Sequence, residues 1–154
     1  MIGTAPTLRK RAGLLAVLVS SLLVAGPLAT ERADAVGRKA ATMRTLINQE
    51  RANHGQSGLR YNRKLSKIAR RHTNVMADQG DLHHNPKLAS QASRLSWTIL
   101  GENVGVGSTV ETLHRAFMDS PPHRHNVLEG RYRRVGIGTK VVGGRLWITI
   151  VFSG

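Results

Sequence analysis

The sequence predicts one layered α+β domain, with helices first and an antiparallel hairpin last. Three observations carry this reading. Residues 39–53 and 62–80 place apolar side chains at helical spacing. From Val135 onward the pattern changes to alternation, and Gly143-Gly144 interrupts the alternating stretch as a two-residue turn would.

Taken in chain order, the first element is a leader. Arg9, Lys10 and Arg11 precede an apolar stretch from Ala12 to Ala25 that Pro27 ends, and Ala33-Asp34-Ala35 supplies a small-x-small cleavage site. The stretch is shorter than the ~20 residues of a membrane span, so residues 1–35 read as a secretory signal. No transmembrane segment is expected after its removal. Residues 36–154 then form one domain of about 120 residues, enough for a single core.

Within the domain, Ala40, Met43, Leu46 and Ile47 share one face of a helix from about Lys39 to Asn53, with Gly55 beyond its end. Asn62 is a good N-cap for a second helix that carries Leu65, Ile68, Ala69, His72, Val75 and Met76 inward and stops at Gly80. Residues 81–100 read as irregular, with one short helical turn. Ser108-x-x-Glu111 has the form of a capping box opening a third helix through Met118, which Pro121-Pro122 ends. Two strands follow, around 135–141 and 146–152. The second is apolar on both faces and is therefore expected inside the sheet, covered by helices on each side.

Composition narrows the function. The chain has 23 Lys+Arg against 9 Asp+Glu, a net charge of +14, and no cysteine. Thiol catalysis and thiolate metal sites are excluded, and an exported domain without disulfides must rely on burial alone, which suits a bacterial secreted protein. The excess charge fits either a solvated surface or an extracellular anionic partner, such as cell-wall polymer or lipid head groups. Specific nucleic-acid recognition is not expected, because the basic residues lack interleaved aromatics.

The titratable groups that stand out lie in three Gly- or Pro-bounded segments read as loops. Glu102 sits in Gly101-Glu-Asn-Val-Gly105, His123 in Ser120-Pro-Pro-His-Arg-His-Asn-Val-Leu128, and His83 and His84 beside Asn85-Pro86. His72 reads as a core histidine, and His54 and His114 as solvent-facing.

These segments, with Leu46-Ile-Asn-Gln-Glu-Arg-Ala52 before them and Arg134-Val-Gly-Ile-Gly138 after, resemble the CAP superfamily (cysteine-rich secretory proteins, antigen 5, pathogenesis-related 1) in its bacterial secreted form. The resemblance covers nearly all of 40–154. It implies a three-layer α-β-α sandwich with a small antiparallel sheet, carrying an open cleft lined by two His and two Glu that in some members holds a divalent cation. Carried over by motif, the first His is His84, with His83 as competitor; the loop Glu is Glu102 and the second His is His123. Ser120 stands where the second Glu would be, with Asp119 adjacent; Phe117 replaces a Trp and Pro122 a Gly. Arg124 adjoins the implied cleft, where it could attract an anionic group.

Three function classes follow. His84, Glu102 and His123 are a competent donor set for Zn²⁺ or another divalent cation, and a metal-bound water of pKa ~7 would serve an extracellular hydrolase. A scaffold would use the same polar groups only to tie loops together. The preferred reading is a secreted binding module for anionic cell-wall polymer or lipid, because the missing second Glu removes the obvious proton acceptor for hydrolysis.

Overall fold

The computed structural model describes residues 27–154, with side chains from Ala35 onward. The elements run α1 (Pro27–Asn53), β1 (Arg60–Tyr61), α2 (Arg63–Gln79), α3 (Leu88–Ala92), β2 (Leu100–Gly107), α4 (Val110–Asp119), α5 (Pro121–Leu128), β3 (Arg134–Val142) and β4 (Arg145–Ser153). The apolar stretch of the expected leader lies outside the described residues. No helix among the described residues is long and apolar enough to cross a membrane.

The strand order is β1-β3-β4-β2, with β4 paired antiparallel to both neighbours. Alternation along β4 divides the core in two. Leu146, Ile148, Ile150 and Phe152 join Met43 and Ile47 of α1, Leu113 and Phe117 of α4 and Val127 of α5. On the other face, Trp147 meets Met76 and Ala77, while Val151 meets Leu65 and Ala69, all from α2. The result is the expected three-layer α-β-α sandwich. Layer spacing is set at Gly136 and Gly138 of β3: a Cβ there would lie 2.3 Å from the Leu65 carbonyl carbon or 2.4 Å from the Arg70 nitrogen. Helix α2 therefore crosses the sheet in near-backbone contact.

The local signals for α2 and the hairpin match what the sequence predicts. Asn62 Oδ1 accepts from the N–H groups of Lys64 and Leu65, and Gly80 closes the helix at φ 69°. Gly143 and Gly144 make the β3–β4 turn at φ 57° and 73°.

Several expectations are corrected. The sheet is mixed, because β1 pairs in parallel with β3 through Arg60 and Tyr61; two residues are too few to show a period. Helix α1 extends back to Pro27, where a missing N–H costs nothing, through a stretch that holds the good helix formers Ala29, Arg32, Ala33 and Ala35. Val75 is exposed. Thr109, one residue after the expected cap, closes the start of α4 by accepting from the Thr112 N–H at 3.1 Å. Pro121-Pro122 ends α4 and also opens α5, since proline suits the first positions of a helix. Glu102 lies on strand β2, hydrogen-bonded to β4.

Arg51 is completely buried at the C-terminal end of α1. Its Nε donates to Ser57 O at 2.8 Å; its Nη1 donates to Val127 O at 2.8 Å and Glu129 O at 3.0 Å; its Nη2 reaches Tyr132 O at 3.5 Å. Burial holds its pKa below the ordinary arginine value, with Arg133 adding to that and Glu129 opposing it. Beside it, Asn48 and Leu59 exchange hydrogen bonds of 2.8 and 3.2 Å, closing the α1–β1 connection. Arg51→Met is expected to lose at least ~3 kcal/mol in urea unfolding, because buried carbonyls lose their donors. Gly138→Ala is expected to cost about 3 kcal/mol by forcing α2 off the sheet.

Candidate functional site

The site is built where β2, the 83–87 segment and the start of α5 meet. Along β2 the side chains of Glu102 and Val104 face the α2 layer, and Val104 packs on Met76 and Trp147. The opposite face of β2 is pressed against α4: a Cβ on Gly105 would lie 2.8 Å from the Phe117 ring. Glu102 is thus planted on a rigid strand, its side chain only 6% exposed.

Its two carboxylate oxygens are unequal. Oε1 accepts from His84 Nδ1–H and from the Asn85 N–H, both at 2.9 Å. Oε2 is buried without a partner. Because an ionised carboxylate only accepts, His84 carries its proton on Nδ1, and a neutral ring presents Nε2 outward as an acceptor. The His84 side chain is 65% exposed. Its neighbour is turned away: His83 accepts from His72 Nε2 through its backbone carbonyl at 2.8 Å, and its ring meets His72 edge-on. His83 Nδ1 stands 3.3 Å from the Asp81 carboxylate without the alignment of a hydrogen bond. Of the two competing histidines, His84 is the one against Glu102.

His123 sits in the first turn of α5, half-buried, with Phe117 5.2 Å from its ring centre. Its Nδ1 shares a 2.9 Å hydrogen bond with Ser120 Oγ. Burial lowers its pKa, and the positive charge of a protonated His84 lowers it further. Sequence reasoning gave no role to the two asparagines that fix this turn. Asn103 Nδ2 donates to His123 O at 3.0 Å, and Asn126 Nδ2 donates to Glu102 O and Asn103 Oδ1 at 3.1 and 2.9 Å. Both lie inside the motifs that carried the family resemblance, which was the signal available.

The remaining candidates lie elsewhere. Asp119 and Arg124 line a shallow depression with Pro121 and His125 on the outer side of α5, and Arg124 Nη2 lies 2.9 Å from His54 Nε2. One step along a helix turns a side chain by about 100°, so neither neighbour of a cluster residue need share its face. His114, expected in solvent, is buried, because α4 is wedged between α1 and the sheet. Its pKa is lowered by burial and partly restored by Glu50. Among the described residues no three His, Asp or Glu side chains converge as a metal set. Through Oε1, Glu102 orients His84.

The sequence profile of the cysteine-rich secretory protein (CAP) family matches residues 44–152. The chain belongs to this family. It is 32% identical over 109 residues to the uncharacterized protein YkwD of Bacillus subtilis, a match that takes in 66% of this chain and 42% of that one. The chain therefore spans less than half the length of that relative. In structure it is similar to an extracellular SCP-domain protein of Bacillus anthracis (TM-score 0.73, 22% identity, 83% of this chain and 44% of that one). It is also similar to an outer surface protein of Borrelia burgdorferi (TM-score 0.69, 13% identity, 75% of this chain and 92% of that one). At such identities the likeness establishes the CAP fold.

In a proton NMR titration, His123 is expected to titrate below pH 6.5, and His84→Ala is expected to raise its midpoint by removing a neighbouring charge. The unfolded chain binds a proton at this position more readily than the folded one. Stability from His123 and His114 is thus fully present above pH 6.5 and is lost as pH falls through their depressed folded midpoints. Urea unfolding at pH 7 and pH 5 should show that fall.

Proposed function

We propose that this CAP domain is exported by a leader ending at Ala35 and acts outside the cell as a binding module for anionic cell-wall or lipid material. One observation carries the reading. The outward face of α2 exposes Arg63, Lys64, Lys67, Arg70 and Arg71, and no acidic residue occurs in that helix before Asp78. A helix face of one sign raises the local concentration of polyanions and their association rate, and salt weakens both effects.

The His84–Glu102 pair supplies selectivity. Glu102 Oε2 is a buried acceptor without a donor, and the His84 ring held on Oε1 is largely open to solvent. A hydroxyl or amide N–H of a wall glycan or peptide satisfies that acceptor and recovers the cost of leaving it unpaired, ~1–3 kcal/mol. Affinity comes from the basic face and discrimination from the carboxylate. Hydrolysis is the weaker reading, since His123 is backed by the hydroxyl of Ser120 in place of a carboxylate.

The protein is expected to sediment with isolated cell walls or phosphatidylglycerol vesicles at low salt and to be released at about 0.5 M NaCl, where the Debye length falls to a few ångströms. Retention that ignores salt, or equal retention on neutral phosphatidylcholine vesicles, would contradict the reading. Glu102→Gln should leave the salt-sensitive binding in place and lose discrimination among wall fragments.

A further inference from the structure

The α2 layer holds a second feature, distinct from the histidine cluster. Between α2 and the segment around α3 lies a depression of about 230 Å³. Lys64, Lys67 and Arg71 form one wall, Arg94 stands on the other, and Ile68 and Leu95 are apolar lining between them. On α2 the three cations fall at i, i+3 and i+7, one stripe rising about 10 Å along the helix axis.

Five cations outside the groove have partners. Lys140 pairs with Asp78 and Arg131 with Glu129; Arg51, Arg133 and Arg134 donate to carbonyls. Among the described residues, no ion pair or side-chain hydrogen bond joins any of the four groove cations to the protein. Four unpaired cations in one groove repel each other and are stabilised by an anion placed between them.

The second wall is fixed. Leu88 and Leu95 pack on Leu65, Ala69 and Val151, and the Trp97 indole N–H donates to Ala92 O at 3.0 Å. Asn85 Nδ2 donates to Gln91 Oε1 at 3.1 Å while the Asn85 N–H donates to Glu102, so this wall and the histidine cluster share one anchor.

We infer that this groove is the binding site for a linear, phosphate-bearing polyanion, laid along α2 between Lys64–Lys67–Arg71 and Arg94. The inference rests on the binding-module reading above and locates its principal contact. Cations on two facing walls grip a single chain from both sides, whereas a planar bilayer meets only their rims. The exposed large apolar residues that a membrane surface would use, Tyr61, Val75, Leu82, Val141 and Val142, lie outside the groove. Its lining includes no aromatic ring on which a base could stack, so it reads charge and spacing.

The test uses the whole protein with long-chain inorganic polyphosphate, orthophosphate and phosphatidylglycerol vesicles as probes. It compares the parent with a groove pair, Lys67→Gln/Arg94→Gln, and a control pair on the opposite layer, Arg38→Gln/Arg115→Gln. All four residues are exposed, so both variants should melt like the parent. The groove pair is expected to lose about tenfold or more in polyphosphate affinity and to flatten the slope of log K against log salt by roughly 1.5, against little change in the control pair. Orthophosphate should bind far more weakly than the chain.

Equal losses in the two pairs would overturn the groove in favour of diffuse surface charge. Orthophosphate binding as tight as the chain, or a groove pair defective only on vesicles, would overturn the linear ligand. A parent that binds walls or vesicles but not polyphosphate would sink this inference alone, and one that binds none of them would sink the binding-module reading with it.

Discussion

The buried guanidinium of Arg51 is the constraint on which the geometry of the domain depends. It joins the end of α1 and the connection before β1 to the end of α5 and the approach to β3, two regions at least seventy residues apart in sequence. Its partners are carbonyls, so the charge is satisfied by dipoles and by the free backbone acceptors at a helix end. Without it, those acceptors would be left buried and α5 would lose its fixed distance from α1. The position of His123 follows from that distance, since α5 carries it. A family named for cysteines is represented here by a chain with none. The work of cross-links falls to this hub, to the Asn48–Leu59 pair and to the contact of α2 with Gly136 and Gly138.

The same layering gives the two faces of the sheet different partners. The α1, α4 and α5 layer packs the larger core cluster. The α2 layer meets the sheet through smaller apolar clusters and close backbone approach, and turns a basic face outward. Glu102 stands where the two layers meet at the edge strand, with its main chain tied to α5 through Asn126 and its carboxylate tied to His84 after α2. One oxygen of that carboxylate is buried and left without a hydrogen-bond partner.

Much of this was legible in the sequence where a local rule operates alone. Asn62 and Gly80 bound α2 because side-chain capping and a left-handed terminus are encoded by single residues. Gly143-Gly144 fixes the hairpin for the same reason. The pairing of His84 with Glu102 came from motif resemblance, not from spacing, since eighteen positions separate them in sequence. What sequence reasoning missed depends on tertiary contact. Gly101-Glu-Asn-Val-Gly-Val-Gly107 looks like a loop but is a strand, its glycines answering to the rings and leucine packed against them. Ser120-Pro-Pro reads as a stop and is equally a start. His114 has a polar side chain at a position that only the wedging of α4 buries. Asp119 and Arg124 adjoin cluster residues in sequence and line a different surface.

If the α2 layer, from the basic helix to the Glu102 edge, is the working face of this extracellular-type domain, a bound polyanion must perturb that layer first. An amide chemical-shift map of the ¹⁵N-labelled protein, titrated with soluble cell-wall polyanion, tests this most directly. Perturbations are predicted to concentrate at residues 63–71, 84–95 and 102–103, with α1 and α4 unmoved. Shifts confined to α1 and α4, or scattered evenly over every exposed cation, would contradict it.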